Sequence, residues 1–324
     1  MNRTVIFAID RYDRHVPLFL GAVAPPEGID FKMLEVGMVP PRRDGIDRHR
    51  RMLSEREFDV CEVSLASYIM ARQRGANLTA VPVFPRRLFS QNHIFVNVDS
   101  RIRSPADLVG KRVGLWAFQV TMSVLAKGDL KSEYGVPWEK IHWVTQHPEE
   151  IPWSAEGVSV ELLGPGKDLS EMLVNGEIDA FIHPHPPPLV QARPDRIRRL
   201  FDDTPAECAR YYKKRGYYPI MHVLAVKNEL VSELPAFPRM VMDTWDESKR
   251  QCYDFYHDPG YATLAFARNE YEHQCSSLGV DLWPSGLAAN RVNLEWFVDQ
   301  MVDQRLLSVR PTLEELFDRT VLES

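Results

Sequence analysis

Two histidines stand two residues apart in AFIHPHPPP, residues 180–188: His183 and His185, each followed by proline. At i and i+2 of an extended strand they would share one face, the H-x-H geometry some metal sites use. Pro184 and the prolines after His185 end strand pairing, however, and no third ligand lies nearby in the sequence, which a metal site needs. Imidazole also titrates near neutral pH, so the pair can contact an anion and give up a proton. A loop that happens to hold two imidazoles is the plain alternative. Metal ligation, anion contact with proton transfer, and a bare loop all stand open at this point.

Other residues could bind an anion. FPRRLF (84–89) places Arg86 and Arg87 after a strand-like run, and arginine gives bidentate, permanently charged contact to a carboxylate. One solvated and one ion-paired arginine is the bland reading, and at most one is expected to reach a ligand. In DRYDR (10–14), Arg11 follows the first strand at its carboxyl end, while Arg14 is expected at the surface. Ser64 and Ser67 open a helix after the strand DVCEV; Ser64 is a natural N-cap, yet a helix N-terminus with hydroxyls is also an anion site. The equivalent place in the second half is AFQVT (117–121). There Phe118 could stack on an aromatic ring, and Gln119, Thr121 and backbone N–H groups could hold a carboxylate; a buried Phe beside an ordinary cap is the alternative. His222, on a returning strand, is either a core histidine or a ligand contact, and His93 is a weaker version of the same. His49, His142, His147, His257 and His273 carry no signal. No G-x-G-x-x-G, P-loop, G-x-S-x-G or H-E-x-x-H pattern is present, which removes the common nucleotide, serine-hydrolase and zincin readings.

Elements must bring these residues together. TVIFAI (4–9), FKMLEV (31–36), DVCEVS (59–64), TAVPVFP and HIFVNV (93–98) read as strands, with helices over 45–56 and from Ser64 to Gly75. The pattern restarts at SPADLVGKRVGLWAF, where a capped turn at Ser104 leads into a strand and then a helix ending near Gly135. A helix DLSEMLVNGE and a strand IDAFIHP complete a second α/β unit. PIMHVLAVKNEL (219–230) returns as a strand, and the chain reads helical after about 229. The expectation is an α/β protein of two lobes: residues 1–97 with 221–324, and an inserted lobe 98–220, joined near 97–98 and 218–222. Ligands of open α/β sheets bind beyond the carboxyl ends of strands, so a cleft between two such lobes is the default site.

At 324 residues and 44% hydrophobic, the chain can build two cores. Its net charge of −6 argues against nucleic acid or an anionic membrane as partner, so an anion site has to be built locally. No apolar run approaches a membrane span, the first ten residues lack the apolar stretch of a signal peptide, and the four cysteines are scattered. A cytoplasmic protein with reduced thiols is expected; a homo-oligomer is left open.

Longer strings carry more. GKRVGLWAFQVTMSVLAKGDLKSEYGVPWEKIHWV, GEIDAFIHPHPPP and DLWPSGLAANRVNLEWFVDQMVDQRLL, with DRYDRHVPLFLGAV, FDVCEVSLASYIMARQRG and VPVFPRRLFSQNHIFVN, resemble the 4,5-dihydroxyphthalate decarboxylase family from near residue 1 to about residue 320. The resemblance implies a type II periplasmic-binding-protein-like fold and an enzyme without an organic cofactor. It also implies the reaction, loss of one carboxyl group from 4,5-dihydroxyphthalate to give protocatechuate and CO2 during phthalate breakdown. Such a substrate is a dianion whose carboxylates, ~4 Å apart, repel by roughly 4 kcal/mol at an effective dielectric of 20. The chemistry then asks for cationic clamps, an acceptor for the ring hydroxyl, and an acid at the ring carbon. His183 is the expected proton donor and His185 a clamp, with Arg11, Arg86 or Arg87, Ser64, Ser67, Phe118, Gln119 and Thr121 on the substrate and His222 at the hydroxyl. A cytoplasmic aromatic-acid binding or sensing protein on the same scaffold, and a metal-assisted decarboxylase, are the competing readings.

Overall fold

The computed structural model describes residues 2–36, 48–153 and 157–324. Its strands are β1 (Arg3–Ile9), β2 (Ile29–Glu35), β3 (Val60–Ser64), β4 (Leu78–Val81), β5 (Ile94–Asn97), β6 (Arg112–Leu115), β7 (His142–Thr145), β8 (Val160–Leu162), β9 (Ala180–Ile182), β10 (Ile197–Arg199) and β11 (His222–Lys227). The chain divides into two compact units. One comprises Met1–Arg87, His222–Leu294 and Pro311–Ser324, the other Leu88–Met221 and Glu295–Arg310.

In the first unit the sheet order is β2-β1-β3-β11-β4, with β1 parallel to β2 and β3, and β11 antiparallel to β3 and β4. Side chains alternate across a strand, so Val5, Phe7 and Ile9 share one face of β1. They join Val60, Leu224 and Val226 in a core closed by Phe237, Val241 and Trp245 of the helix Phe237–Phe255. Full burial of one such side chain contributes about 1.5–3 kcal/mol. The same alternation carries Glu62 and Ser64 along the face of Val60, and His222 along the face of Leu224. Register pairs His222 with Ser64 and Leu224 with Glu62. The apolar face therefore turns polar toward the carboxyl end of β3. After β3 the helix Leu65–Gln73 begins with Ser64 in its N-cap position, though the hydroxyl makes no capping bond. The helix expected over 45–56 is present as Arg48–Leu53; residues 45–47 lie outside the described residues.

In the second unit the order is β10-β5-β9-β6-β7-β8. β6 is parallel to β7 and β9, so the residues after all three emerge at one edge. The helix Thr121–Tyr134 follows β6 and ends at Gly135, whose φ of 66° is a left-handed cap that suits glycine. β5 pairs antiparallel with β9 and β10. Its hydrogen bonds thus put residues 94–97 in the second sheet, and the division falls after Arg87 rather than at the expected 97–98. Residues 295–310 likewise pack with the second unit, although the whole helical C-terminal region was expected with the first. No helix among the described residues is long and apolar enough to cross a membrane.

One buried acid in the second unit makes stability depend on pH. Asp129 accepts hydrogen bonds from Ser90 Oγ at 2.6 Å and from the Tyr211 hydroxyl at 3.0 Å. Burial pushes its carboxyl up to about 7, against those donors and Arg215, with Glu133 adding to the rise. Between the ordinary carboxyl value of about 3.9 and that raised value, the folded state holds a proton the unfolded chain has lost. The stability involved is fully present below the ordinary value and is lost as pH rises toward 7. Asp129→Asn is expected to remove this component, so the urea midpoints of parent and variant should diverge in the variant's favour from pH 4 to 7. Parallel curves would mean that Asp129 titrates as an ordinary carboxylate.

Candidate active site

The polar end of the first sheet holds a buried ionic network. Glu62 and Arg48 are both fully buried. Arg48 places Nη2 3.1 Å from Glu62 Oε1 and Nη1 2.8 Å from Asp10 Oδ2, and it donates to the carbonyls of Glu62 and Val36 at 2.9 and 2.5 Å. The Asp10 N–H donates to Glu62 Oε2 at 3.1 Å. The Tyr12 hydroxyl lies 2.9 Å from Glu62 Oε1 and 3.1 Å from Asp10 Oδ2. His222 Nδ1 completes the set at 2.5 Å from Glu62 Oε1, and His49 stands edge-on to His222 with ring centroids 5.2 Å apart.

Electrostatics fix the charge states. Burial would raise the Glu62 carboxyl, but Arg48 and then His222 outweigh it and hold it well below the usual carboxylate range. Burial pushes His222 down to about 4 against the upward pull of Glu62, with His49 and Arg86 adding to the fall. At neutral pH the pair is thus a carboxylate and a neutral imidazole. Burial and Glu62 keep the Tyr12 hydroxyl protonated, raising it well above its ordinary value.

The sequence-derived clamps fare unequally. Arg86 is half-buried, its carbonyl accepts the His222 N–H, and its charge acts on both Tyr12 and His222. Arg87 is buried and donates to Asn290 Oδ1 at 2.5 Å and to the Pro284 carbonyl at 3.1 Å, a tie within the first unit. Arg11 is half exposed and pairs with Glu35 at 3.2 Å. Arg14, expected at the surface, is largely covered, with its guanidinium 3.6 Å from the Trp283 ring centroid. Ser64 and Ser67 are buried at the start of their helix, and the Ser67 hydroxyl has no hydrogen-bond partner among the described residues.

At the edge where β6, β7 and β9 end, the second unit gathers an aromatic and imidazole group. β9 stops at Ile182, and His183 extends it by exchanging bonds with His93: its N–H donates to the His93 carbonyl, and its carbonyl lies 3.0 Å from His93 Nδ1. His183 Nδ1 meets the backbone of His185, 2.5 Å from the carbonyl oxygen and 3.1 Å from the nitrogen, closing a tight turn around Pro184. The His183 ring sits between Phe181 and Trp116, at 5.0 and 5.4 Å, and His147 lies 3.8 Å from Trp116. His185 is 5.9 Å from His183, and all four of Trp116, His147, His183 and His185 are half-buried. Among the described residues no group of three or more His, Cys, Asp or Glu side chains gathers as metal ligands would.

The AFQVT segment departs most from expectation. Phe118 is fully buried, stacked on Trp153 at 4.6 Å and covering the Lys127 ammonium, which donates to the Phe118 carbonyl. Burial holds Lys127 well below its ordinary value, with Glu149 pulling the other way. The N–H groups of Phe118 and Gln119 do bind a carboxylate, but it is the chain's own: Glu149 Oε1 and Oε2 accept them at 2.7 and 3.0 Å. The Gln119 side chain exchanges hydrogen bonds with the Ile151 backbone at 2.8 and 3.1 Å. Thr121 is buried at the helix start. Helix-terminal donors do attract an anion, as expected; sequence spacing gives no sign that a residue thirty positions on supplies it.

Comparison with known proteins identifies the family of the chain. A protein of Comamonas testosteroni named 4,5-dihydroxyphthalate decarboxylase is 32% identical over 98% of this chain and 97% of its own length. This chain belongs to the 4,5-dihydroxyphthalate decarboxylase family. A Pseudomonas putida protein of the same name is 31% identical over 52% of this chain and 68% of its own length. Residues 33–150 also match the family described as NMT1/THI5 like. Among solved structures, the periplasmic aliphatic sulphonate binding protein SsuA from Escherichia coli superposes with a TM-score of 0.57 over the whole of both chains at 14% identity. The desulfurization enzyme DSZB does so at 0.51, covering 99% and 98% of the two chains, again at 14%. These likenesses give the fold alone, a two-lobe type II periplasmic-binding-protein-like architecture.

For a 4,5-dihydroxyphthalate decarboxylase family member, sequence reasoning passed over Glu62, Arg48, Asp10, Tyr12, His49 and His147. For Glu62 a signal existed: in DVCEVS it occupies the same alternation face as Val60, so a carboxylate falls on the core side of a buried strand and demands a partner. Arg48 and His147 gave none, since each meets its partners through the packing of separate elements rather than through local spacing.

Proposed function

We propose that this protein decarboxylates 4,5-dihydroxyphthalate to protocatechuate and CO2. The relationship to the Comamonas enzyme across 98% of the chain carries this reading, and the imidazoles and arginines above supply suitable groups. The hydroxyl para to the departing carboxylate pushes electron density onto the carbon that bears it. Protonation there gives a dearomatised ketone, and loss of CO2 returns the electrons to the ring. His183 is the proposed donor of that proton and His185 a carboxylate contact, with Arg86, the half-buried one of the adjacent arginines, as a further proposed carboxylate contact.

Incubating the purified protein with 4,5-dihydroxyphthalate should release one CO2 per substrate consumed and shift the ultraviolet spectrum to that of a monocarboxylate catechol. A ligand-induced rise in melting temperature with no CO2 would instead favour an aromatic-acid binding protein.

A further inference from the structure

The Glu62–His222 pair is built as a proton acceptor. Glu62, 160 residues from His222 in sequence, takes Nδ1, so the neutral ring carries its hydrogen there and its lone pair on Nε2. The Glu62 side chain is wholly covered, whereas 8% of the His222 side chain remains exposed, so the imidazole is the member that can meet a ligand. Arg48, Asp10 and Tyr12 hold Glu62 from its other sides.

We propose that His222 is the catalytic base that takes the proton of the ring hydroxyl para to the departing carboxylate, with Glu62 as the positioning residue that fixes its tautomer and Arg48 holding Glu62 ionised. This rests on the decarboxylase reading and adds the group that starts the electron flow. His222 Nε2 removes the hydroxyl proton, leaving a phenolate and an imidazolium stabilised by Glu62. The phenolate electrons move through the ring to the para carbon, which takes a proton from the acid. The carbon–carboxylate bond then breaks, CO2 leaves, and the bonding pair restores the aromatic phenolate. The imidazolium returns its proton to that oxygen, and the acid is reprotonated by water. Burial sets the titration of His222 first, then Glu62 on β3, His49 on the helix Arg48–Leu53 and Arg86 after β4, while Arg48, Asp10 and Tyr12 face it through their contacts with Glu62. Burial pushes His222 down to about 4, so in the free protein its ring is already neutral at pH 7.

His222→Gln removes the base and should lower kcat by ~10²–10⁴-fold with little change in KM. Glu62→Gln should act in the same direction, less strongly. The decisive readout is pH. As rising pH ionises the substrate hydroxyl in solution, His222→Gln should recover toward the parent rate, because the step it lost has been done for it. A purely structural role would leave the defect independent of pH. Should Glu62→Gln fail to fold, His222→Gln still decides, since it leaves the Arg48–Glu62–Asp10 contacts intact; circular dichroism checks each variant. Variants within a few-fold of the parent, or a pH-independent loss, overturn the inference while decarboxylation stands. A parent protein that releases no CO2 overturns the decarboxylase reading itself.

Discussion

His183→Gln is expected to lose at least ~100-fold in kcat while still binding substrate, because a general acid contributes typically 10²–10⁴-fold and glutamine cannot deliver a proton at neutral pH. In free energy this is about 3–5.5 kcal/mol of transition-state stabilisation. The ring is held by the His185 backbone through Nδ1 and flanked by Phe181 and Trp116. Glutamine can retain some of the backbone contact, which isolates the proton chemistry from the shape of the turn. His185→Gln should instead raise KM with a smaller loss in kcat, as expected of a group that only holds the dianion. Steady-state kinetics on both variants separate the roles. Reversed effects would exchange the two histidines; near-parental rates in both would remove AFIHPHPPP from the chemistry and move the donor elsewhere.

Arg48→Met is expected to destabilise the protein by about 3–5 kcal/mol, the usual cost of breaking a buried ion pair from one side. Methionine fills much of the same space, so the loss reports charge and hydrogen bonds rather than a cavity. Without the guanidinium, Glu62 stays buried beside Asp10 with no cation, and the carbonyls of Val36 and Glu62 lose their donors. The effect has a pH signature. In the parent, Glu62 is held below the usual range, so its stabilising contribution is present above about 4.3 and is lost as pH falls through the depressed folded value. In the variant, burial raises the folded value above the unfolded one, and the sign reverses: stability is kept in acid and lost as pH rises. Urea unfolding should therefore show the gap between the two proteins narrowing in acid. A gap that stays constant would mean that Arg48 contributes packing alone.

The sequence by itself determined the elements and the family. Alternation over 4–9 made β1, whose Val5, Phe7 and Ile9 share one face, and the short apolar run over 59–64 made β3, a strand buried along its whole length. Gly135 ended its helix because a left-handed cap strongly favours glycine, and Gly176 ends the next one two residues before the expected stop for the same reason. The long strings around 110–144 and 281–307 identified the relatives. The partner of each buried charge lay beyond that reading. Glu62 meets His222 only because β11 returns antiparallel beside β3 in a register that sets residue 222 opposite residue 64. Arg48 meets Glu62 because its helix packs on the same strand. Phe118 was legible as an aromatic at a helix start, but Trp153 and Glu149 occupy its face and its N–H groups from thirty residues away. Helix caps and strand faces follow from a few neighbouring residues. Which charge neutralises which depends on sheet register and on long-range packing, where local propensity carries no information and only the assembled chain sets the distances.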